Sequence, residues 1–472
     1  MKILLTGTTG YIGQRLLPVL LKNGHEVICC VRDKKRFNAK KYDSSKLSVI
    51  EVNFLEKETL ANIPKDIDIA FYLIHSMSAA IDKFEDLEAL SAENFKDRLQ
   101  KTEVKQVIYL SGIINDEKLS KHLSSRKRVE EILSGATFNL TTLRAGIIVG
   151  SGSASFEIVR DLVEKLPVMI APKWLNSRSQ PLAVRNVIEY LTRVILRDET
   201  FNKSFDIGGP EVLTYKQMLL QFAEVRGLKR YILSVPVMTP KLSSYWLYFI
   251  TSTSYKLAVN LVNSMKIDVV CRENNLNEIL GIELLTYKQA VQNAFDKIAQ
   301  QEVISSWTDA LAGSALEKGV SRLLEVPVFG CFKDHRKKVI TSEKQTLDRI
   351  WAIGGEKGWY YANWLWSFRG FLDKMMGGVG LRRGRKNSKN ISTGESLDFW
   401  RVIYASRDEK RLLLYAEMKL PGEAWLEFKI KNNTLHQTAT FRPKGLSGRM
   451  YWYSVLPFHG LIFNGMIKKL AE

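Results

Sequence analysis

The chain has 472 residues, 45% hydrophobic and 25% charged, a composition that excludes a disordered or fibrous polymer and leaves room for two or three cores. Its 69 Lys and Arg outnumber 50 Asp and Glu, a formal net charge of +19 that directs attention to anionic partners: phosphorylated ligands, membrane surfaces or nucleic acid.

Lys2-Ile3-Leu4-Leu5 reads as a short buried strand, too short and too soon broken to be a signal peptide. It runs into Thr6-Gly7-Thr8-Thr9-Gly10-Tyr11-Ile12-Gly13, and a helical pattern through Leu16, Leu17, Val19 and Leu20 follows. Strand, glycine turn and helix make a phosphate cradle. Gly7 allows the tight turn, Gly10 lets backbone approach a pyrophosphate, and Gly13 lets helix and strand pack closely. The helix start adds free N–H groups and positive dipole. Gly7, Thr8, Thr9, Gly10, Tyr11, Ile12 and Gly13 are therefore the expected cofactor-binding run.

A second strand, Glu26 to Val31, ends at Arg32. An acidic residue there would suit the ribose 2′-hydroxyl of NAD. A guanidinium suits a 2′-phosphate, so NADP is the expected cofactor, with NAD as the other option. Further strands are expected at 47–52, 67–74, 106–110 and 140–144, alternating with helices. That alternation gives a doubly wound parallel α/β sheet with ligands at the carboxyl ends of its strands. His75, Ser111 and the Ala145-Gly146 turn belong to that rim.

The four cysteines, Cys29, Cys30, Cys271 and Cys331, have no CxxC spacing, and the six histidines have no ligand-like spacing. No metal and no disulfide framework are expected, and the setting is read as cytoplasmic. Cys29 and Cys30, adjacent on a strand, are expected to face opposite sides of the sheet.

These residues resemble the short-chain dehydrogenase/reductase superfamily and its atypical, NmrA-like branch, related to the NAD(P)H-binding accessory subunit of respiratory complex I. Phe71 to Met77, Gly150 to Glu157 and Pro167 to Ile170 resemble a bacterial group that joins such a domain to a C-terminal domain of unknown function. The resemblance implies a serine at Ser111 and a Tyr-x-x-x-Lys pair on the next helix. Here His122 takes the tyrosine slot and Arg126 the lysine slot, in His122-Leu123-Ser124-Ser125-Arg126. Histidine can move protons near neutral pH, whereas Arg126 holds its charge and serves only as a hydrogen-bond donor. Ser111, His122 and Arg126 are the candidate catalytic set, and Ser111 and His75 are also candidate cofactor contacts.

Beyond the sheet, Gly150 to Phe156 leads into a helix of the substrate lobe that the resemblance implies. Leu213-Thr214-Tyr215-Lys216-Gln217 recurs as Leu285-Thr286-Tyr287-Lys288-Gln289, read as two capping boxes rather than a duplicated domain. The aromatic run Tyr245 to Ile250 is read as a lobe helix or a membrane-touching face. Domains are expected at 1–304 and 325–472, joined by a connector at 305–324.

Seven of the ten tryptophans fall in the second domain. A strand at 332–340, a helix from Ser342, a hairpin about Pro421-Gly422, a strand at 435–441 and a terminal aromatic helix resemble the START-like helix-grip fold. Its tryptophans either wall an apolar pocket or fill a core. Arg382-Arg383-Gly384-Arg385-Lys386 is a basic loop suited to phosphates or an anionic bilayer, a peripheral membrane contact. Nucleic acid is disfavoured for want of any spaced aromatic pattern. Two functions follow. One is an NADP(H)-dependent oxidoreductase acting on a small apolar or quinone-like substrate. The other is an NADP(H) redox-sensing module without turnover, whose C-terminal domain binds a hydrophobic ligand.

Overall fold

A computed structural model describes residues 1–34, 37, 39–42, 45–74, 84–114, 121–235, 259, 262, 265, 267–299, 326–327, 330–381 and 390–472. His75, the run from Tyr245 to Ile250, the 305–324 connector and the basic loop at 382–386 lie outside them. Two compact units emerge. The larger holds Met1–Lys34, Ala39–Thr251 and Lys256–Ser314, and the smaller is built on Ala315–Glu472.

The larger unit opens with β1 (Lys2–Leu5), α1 (Gly13–Lys22), β2 (Glu26–Val31), β3 (Leu47–Glu51) and β4 (Ile69–Tyr72). It continues with α2 (Phe84–Leu99), β5 (Gln106–Gly112), α3 (Lys121–Ser134) and β6 (Asn139–Ala145). Next come α4 (Ala154–Lys165), β7 (Val168–Pro172), α5 (Val184–Arg193), β8 (Lys203–Ile207), α6 (Tyr215–Val225), β9 (Tyr231–Val235) and α7 (Tyr287–Ala299). Seven of these strands form one sheet in the order β8-β6-β5-β4-β1-β2-β3, with every pairing parallel. This is a Rossmann-type α/β fold.

Burial explains why the strands read as unbroken apolar runs: a parallel sheet is covered on both faces. Cys29 and Cys30 illustrate it, because adjacent residues point to opposite faces and both are buried. β4 is shorter than the expected 67–74. Its C-terminal end is diverted: Leu73 N donates to the Thr6 hydroxyl instead of a strand partner. Both repeated Leu-Thr-Tyr-Lys-Gln segments are capping boxes. Gln217 N donates to Thr214 Oγ1 at 3.1 Å and Thr214 N to Gln217 Oε1 at 2.8 Å; the Thr286–Gln289 pair makes the same two bonds.

The smaller unit runs β10 (Phe332–Val339), α8 (Glu343–Ile350), α9 (Asn363–Met375), β11 (Trp400–Ser406), β12 (Arg411–Ala416), β13 (Gly422–Lys431), β14 (Thr434–Pro443) and α10 (Gly445–Ala471). Its antiparallel sheet has the order β10-β14-β13-β12-β11, extended by Ser396–Leu397. The first strand pairs with the last, helices fill the gap after the first strand, and a long helix closes the chain: a helix-grip order. The tryptophans are largely internal. Trp351, Trp359, Trp366, Trp400, Trp425 and Trp452 are buried, and Trp359 stacks on Trp366 with ring centroids 4.8 Å apart.

Candidate functional site

The strand order reverses direction between β1 and β4, the switch point where such sheets bind ligands. The loop after β1 sits there, and its three glycines meet different demands. Gly7 has φ +62°, and a Cβ on it would lie 2.4 Å from Leu73 O. A Cβ on Gly13 would lie 2.3 Å from Gly7 O. Both positions are closed by the protein's own backbone. A Cβ on Gly10 would meet Gly7 O alone within 4 Å, at 3.0 Å. Gly10 is therefore bare toward open space, as close approach of a phosphate group requires.

Helix α1 starts without a capping side chain and without an acid in its first turn. Its free N–H groups and dipole suit an anion. The residues present fit a dinucleotide pyrophosphate, which backbone N–H groups at the start of α1 would hold over the bare Gly10, whose own N–H donates to Gly7 O.

Side chains in this run hold the loop in shape. Thr8 Oγ1 donates to Leu5 O at 2.8 Å and Thr6 Oγ1 to Phe71 O at 2.9 Å, both buried. Tyr11 Oη donates to Ser151 O at 3.2 Å, and Arg15 donates to the same carbonyl at 2.6 Å while its guanidinium lies 4.2 Å from the Tyr11 ring centroid. Burial pushes the Tyr11 phenol up to about 12. Thr8 and Tyr11 thus turn their side chains to the protein. Thr9 and Ile12 are half-buried, and Thr9 O accepts from Gln14. Arg32 is exposed just past β2, and the neighbouring Asp33 is buried.

A second group gathers at the end of β5. Ser111 is buried, and its Oγ has no hydrogen-bond partner of ordinary geometry. On the same face of the strand, Tyr109 Oη donates to Arg126 O at 3.4 Å, and burial pushes its phenol up to about 12. A Cβ on Gly112 would lie 2.7 Å from an Arg126 guanidinium nitrogen, so Arg126 rests against the strand end beside Ser111. His122 lies in the first turn of α3, one turn before Arg126; its side chain is outside the described residues.

Sequence reasoning missed the carboxylate in this neighbourhood. The Ser125 hydroxyl donates to Glu88 of α2, joining the two helices beside Tyr109. Nothing local in the sequence links positions 37 residues apart; only the α2–α3 packing does.

Comparison with known proteins agrees with this geometry. Residues 7–162 match the family described as NAD(P)H-binding. They form an NAD(P)-binding domain. Residues 331–466 match a family described as a protein of unknown function, DUF2867. Among curated proteins, the divinyl chlorophyllide a 8-vinyl-reductase of Arabidopsis thaliana is 22% identical over 253 residues, 50% of this chain and 60% of that protein. The auxiliary protein GraX of Staphylococcus aureus is 30% identical over 128 residues, 26% of this chain and 40% of that protein. The chain spans less than two thirds of either. Among solved structures, triphenylmethane reductase from a Citrobacter species gives a TM-score of 0.52 at 16% identity, with 63% of this chain and 100% of that one covered. A nucleoside-diphosphate-sugar epimerase from Staphylococcus aureus gives 0.51 at 16%, with 62% and 100% covered. Both share the fold. Among the described residues, no helix is long and apolar enough to cross a membrane.

Proposed function

We propose that this protein is an NADP(H)-dependent reductase of the atypical short-chain dehydrogenase/reductase type, acting on a small apolar or quinone-like molecule. The observation that carries the reading is the bare Gly10 above an uncapped helix start at the switch point of the sheet. Arg32, exposed beyond β2, binds the 2′-phosphate that distinguishes NADP from NAD. The bound cofactor supplies a hydride.

The chain's own residues do the rest. Ser111 has unspent hydrogen-bonding capacity at the rim and holds an acceptor atom of the substrate or cofactor. Arg126 donates hydrogen bonds there and keeps its charge. His122, in the slot of the family tyrosine, delivers the proton that must accompany a hydride. Glu88 and Ser125 brace α3 against α2 and so hold Arg126 in place. In the C-terminal unit, the indole N–H groups of Trp366 and Trp400 are buried without partners. They suit an apolar ligand that carries a hydrogen-bond acceptor.

The test is NADPH titration followed by hydride transfer to quinones, aldehydes and conjugated vinyl compounds. The vinyl arm follows from the named activity of the Arabidopsis relative. Arg32→Ala is expected to weaken NADPH binding about tenfold, roughly 1.4 kcal/mol, and to leave NADH unchanged. Equal loss for both nucleotides would overturn the 2′-phosphate role. A second reading, an NADP(H) sensor, draws on the His-x-x-x-Arg replacement. Tight NADPH binding with no acceptor reduced, in wild type and in Ser111→Ala and His122→Ala alike, would favour it.

A further inference from the structure

The C-terminal unit turns large apolar side chains outward on two helices. On α9, Trp364, Phe368, Phe371, Leu372 and Met375 are exposed, Trp364 at 69%. Their spacing puts them on one face, while Trp366, Gly370 and Asp373 are buried on the other. On α10, Leu446, Met450, Tyr453 and Leu461 are exposed, and Gly448, Trp452 and Phe463 are buried. Single exposed apolar residues are ordinary; a continuous stripe along each of two helices marks an interaction surface.

Charge decides what fits that surface. Residues 428–471, which include all of α10, contain no Asp or Glu. Between 357 and 394 the one acid is Asp373, and it is buried, accepting from the backbone N–H groups of Gly380 and Lys419. The charges beside the stripes are cations, Lys374 on α9 and Lys444 and Arg449 at the start of α10, while Arg369 turns its guanidinium inward to Asp373 and the Lys419 carbonyl. Over 331–472, 26 Lys and Arg stand against 13 Asp and Glu, a net +13 (26 − 13); the first 330 residues carry +6 (43 − 37). A second copy of the chain would bring like charge against like. Aromatic and aliphatic side chains bordered by cations, with no exposed acid among them, match the boundary between acyl chains and anionic headgroups.

We propose that the outward faces of α9 and α10 dock the C-terminal unit onto an anionic lipid bilayer, as a peripheral contact. The rings and aliphatic chains enter the headgroup boundary and the cations pair with lipid phosphates. Nothing in this depends on the nucleotide site.

The full-length chain, sedimented with phosphatidylcholine vesicles with and without phosphatidylglycerol, tests it. Binding is expected only with phosphatidylglycerol and is expected to fall as salt rises. The double variants Trp364→Glu/Phe368→Glu and Leu446→Glu/Met450→Glu are each expected to weaken binding about tenfold or more, with unchanged far- and near-ultraviolet circular dichroism. Independently of any variant's folding, brominated phosphatidylglycerol is expected to quench wild-type tryptophan fluorescence. Trp364→Phe is expected to reduce that quenching, because Trp364 is the exposed indole among the unit's described residues. Absence of wild-type binding, equal binding to both vesicle types, or binding indifferent to both double variants would overturn the proposal. So would a wild-type dimer that the double variants dissolve while vesicles bind neither form, which would assign the faces to a second copy.

Discussion

At the end of β1 three glycines strip side chains away, two so that backbone can pack on backbone and Gly10 to leave open space, whereas the C-terminal unit adds bulk, with six tryptophans packed inside and a seventh left outside. The two regions are therefore vulnerable in opposite directions. The glycine loop is damaged by a single added carbon and tolerates little else. The C-terminal core is damaged by subtraction, either of packed rings or of a charge whose partner stays behind. The same contrast separates what each region offers a partner: open backbone polarity in one, exposed apolar surface edged by cations in the other.

The largest expected effect breaks the first half of this comparison. Gly13→Val puts carbon where Gly7 O already lies, so the loop must move. Nucleotide binding is expected to vanish, with a stability loss of about 3 kcal/mol. Gly10→Ala sharpens the point. Its Cβ meets Gly7 O alone, at 3.0 Å, so the fold is expected to hold while NADPH affinity falls about tenfold or more. Titration by nucleotide fluorescence alongside thermal unfolding separates the two variants. Equal destabilisation by both would mean that Gly10 serves packing rather than a ligand.

Subtraction in the C-terminal unit is tested at Arg401. Its guanidinium is fully buried and donates to Glu417 at 2.8 and 2.9 Å and to Gly394 O at 2.9 Å. Arg401→Met takes the guanidinium and its two hydrogen bonds from the buried Glu417 carboxylate, an expected loss of about 3–5 kcal/mol. Adding Glu417→Leu removes the stranded charge and is expected to recover most of that loss, because two apolar groups in place of a buried pair come close to neutral. Denaturant unfolding followed by tryptophan fluorescence reads both. Failure of the second change to rescue would mean that the pair specifies the β11–β12 register rather than merely satisfying itself.

How much of this could be read beforehand depends on the range of the interaction. The glycine turn after β1 was legible because three glycines at fixed spacing dictate backbone over eight residues. The two capping boxes were legible for the same reason: each is closed within four residues. The rim position of Ser111 followed from where a strand ends, and its nearness to Arg126 followed from the resemblance. Arg401 and Glu417 meet only once the hairpin register of β11 and β12 is set, and Glu88 and Ser125 only once α2 packs on α3. No local pattern encodes either pair. Helix α9 was missed outright. Trp364 and Trp366 alternate as on a strand, and the outward apolar face masks the helical period because both sides of the helix are apolar.

The smallest expected effect concerns pH and lies wholly in the C-terminal core. His459 of α10 packs edge-on between Trp452, at 5.0 Å, and Phe463, at 4.8 Å. Burial holds its imidazole down at about 4, against an ordinary value of 6.5. The groups facing it from β10 are Asp334, which favours the protonated ring, and Arg336, which opposes it. A depressed value means that the unfolded chain takes up the proton first. Above about pH 6.5 His459 is neutral in both states and adds no pH dependence; between 6.5 and 4 the native state loses stability as pH falls. At pH 5 the loss is about 2 kcal/mol. His459→Phe keeps the edge-on aromatic packing and removes the titration. The wild-type-minus-variant stability difference is therefore expected to become about 2 kcal/mol less favourable to wild type on going from about pH 7.5 to 5. His436, whose imidazole is also held down by burial and by the neighbouring His335 and Lys337, titrates in the same direction in both proteins and cancels from that difference. A difference that stays flat across the window would mean that water reaches the His459 ring, and that the core between α10 and the sheet is less closed than its tryptophans imply.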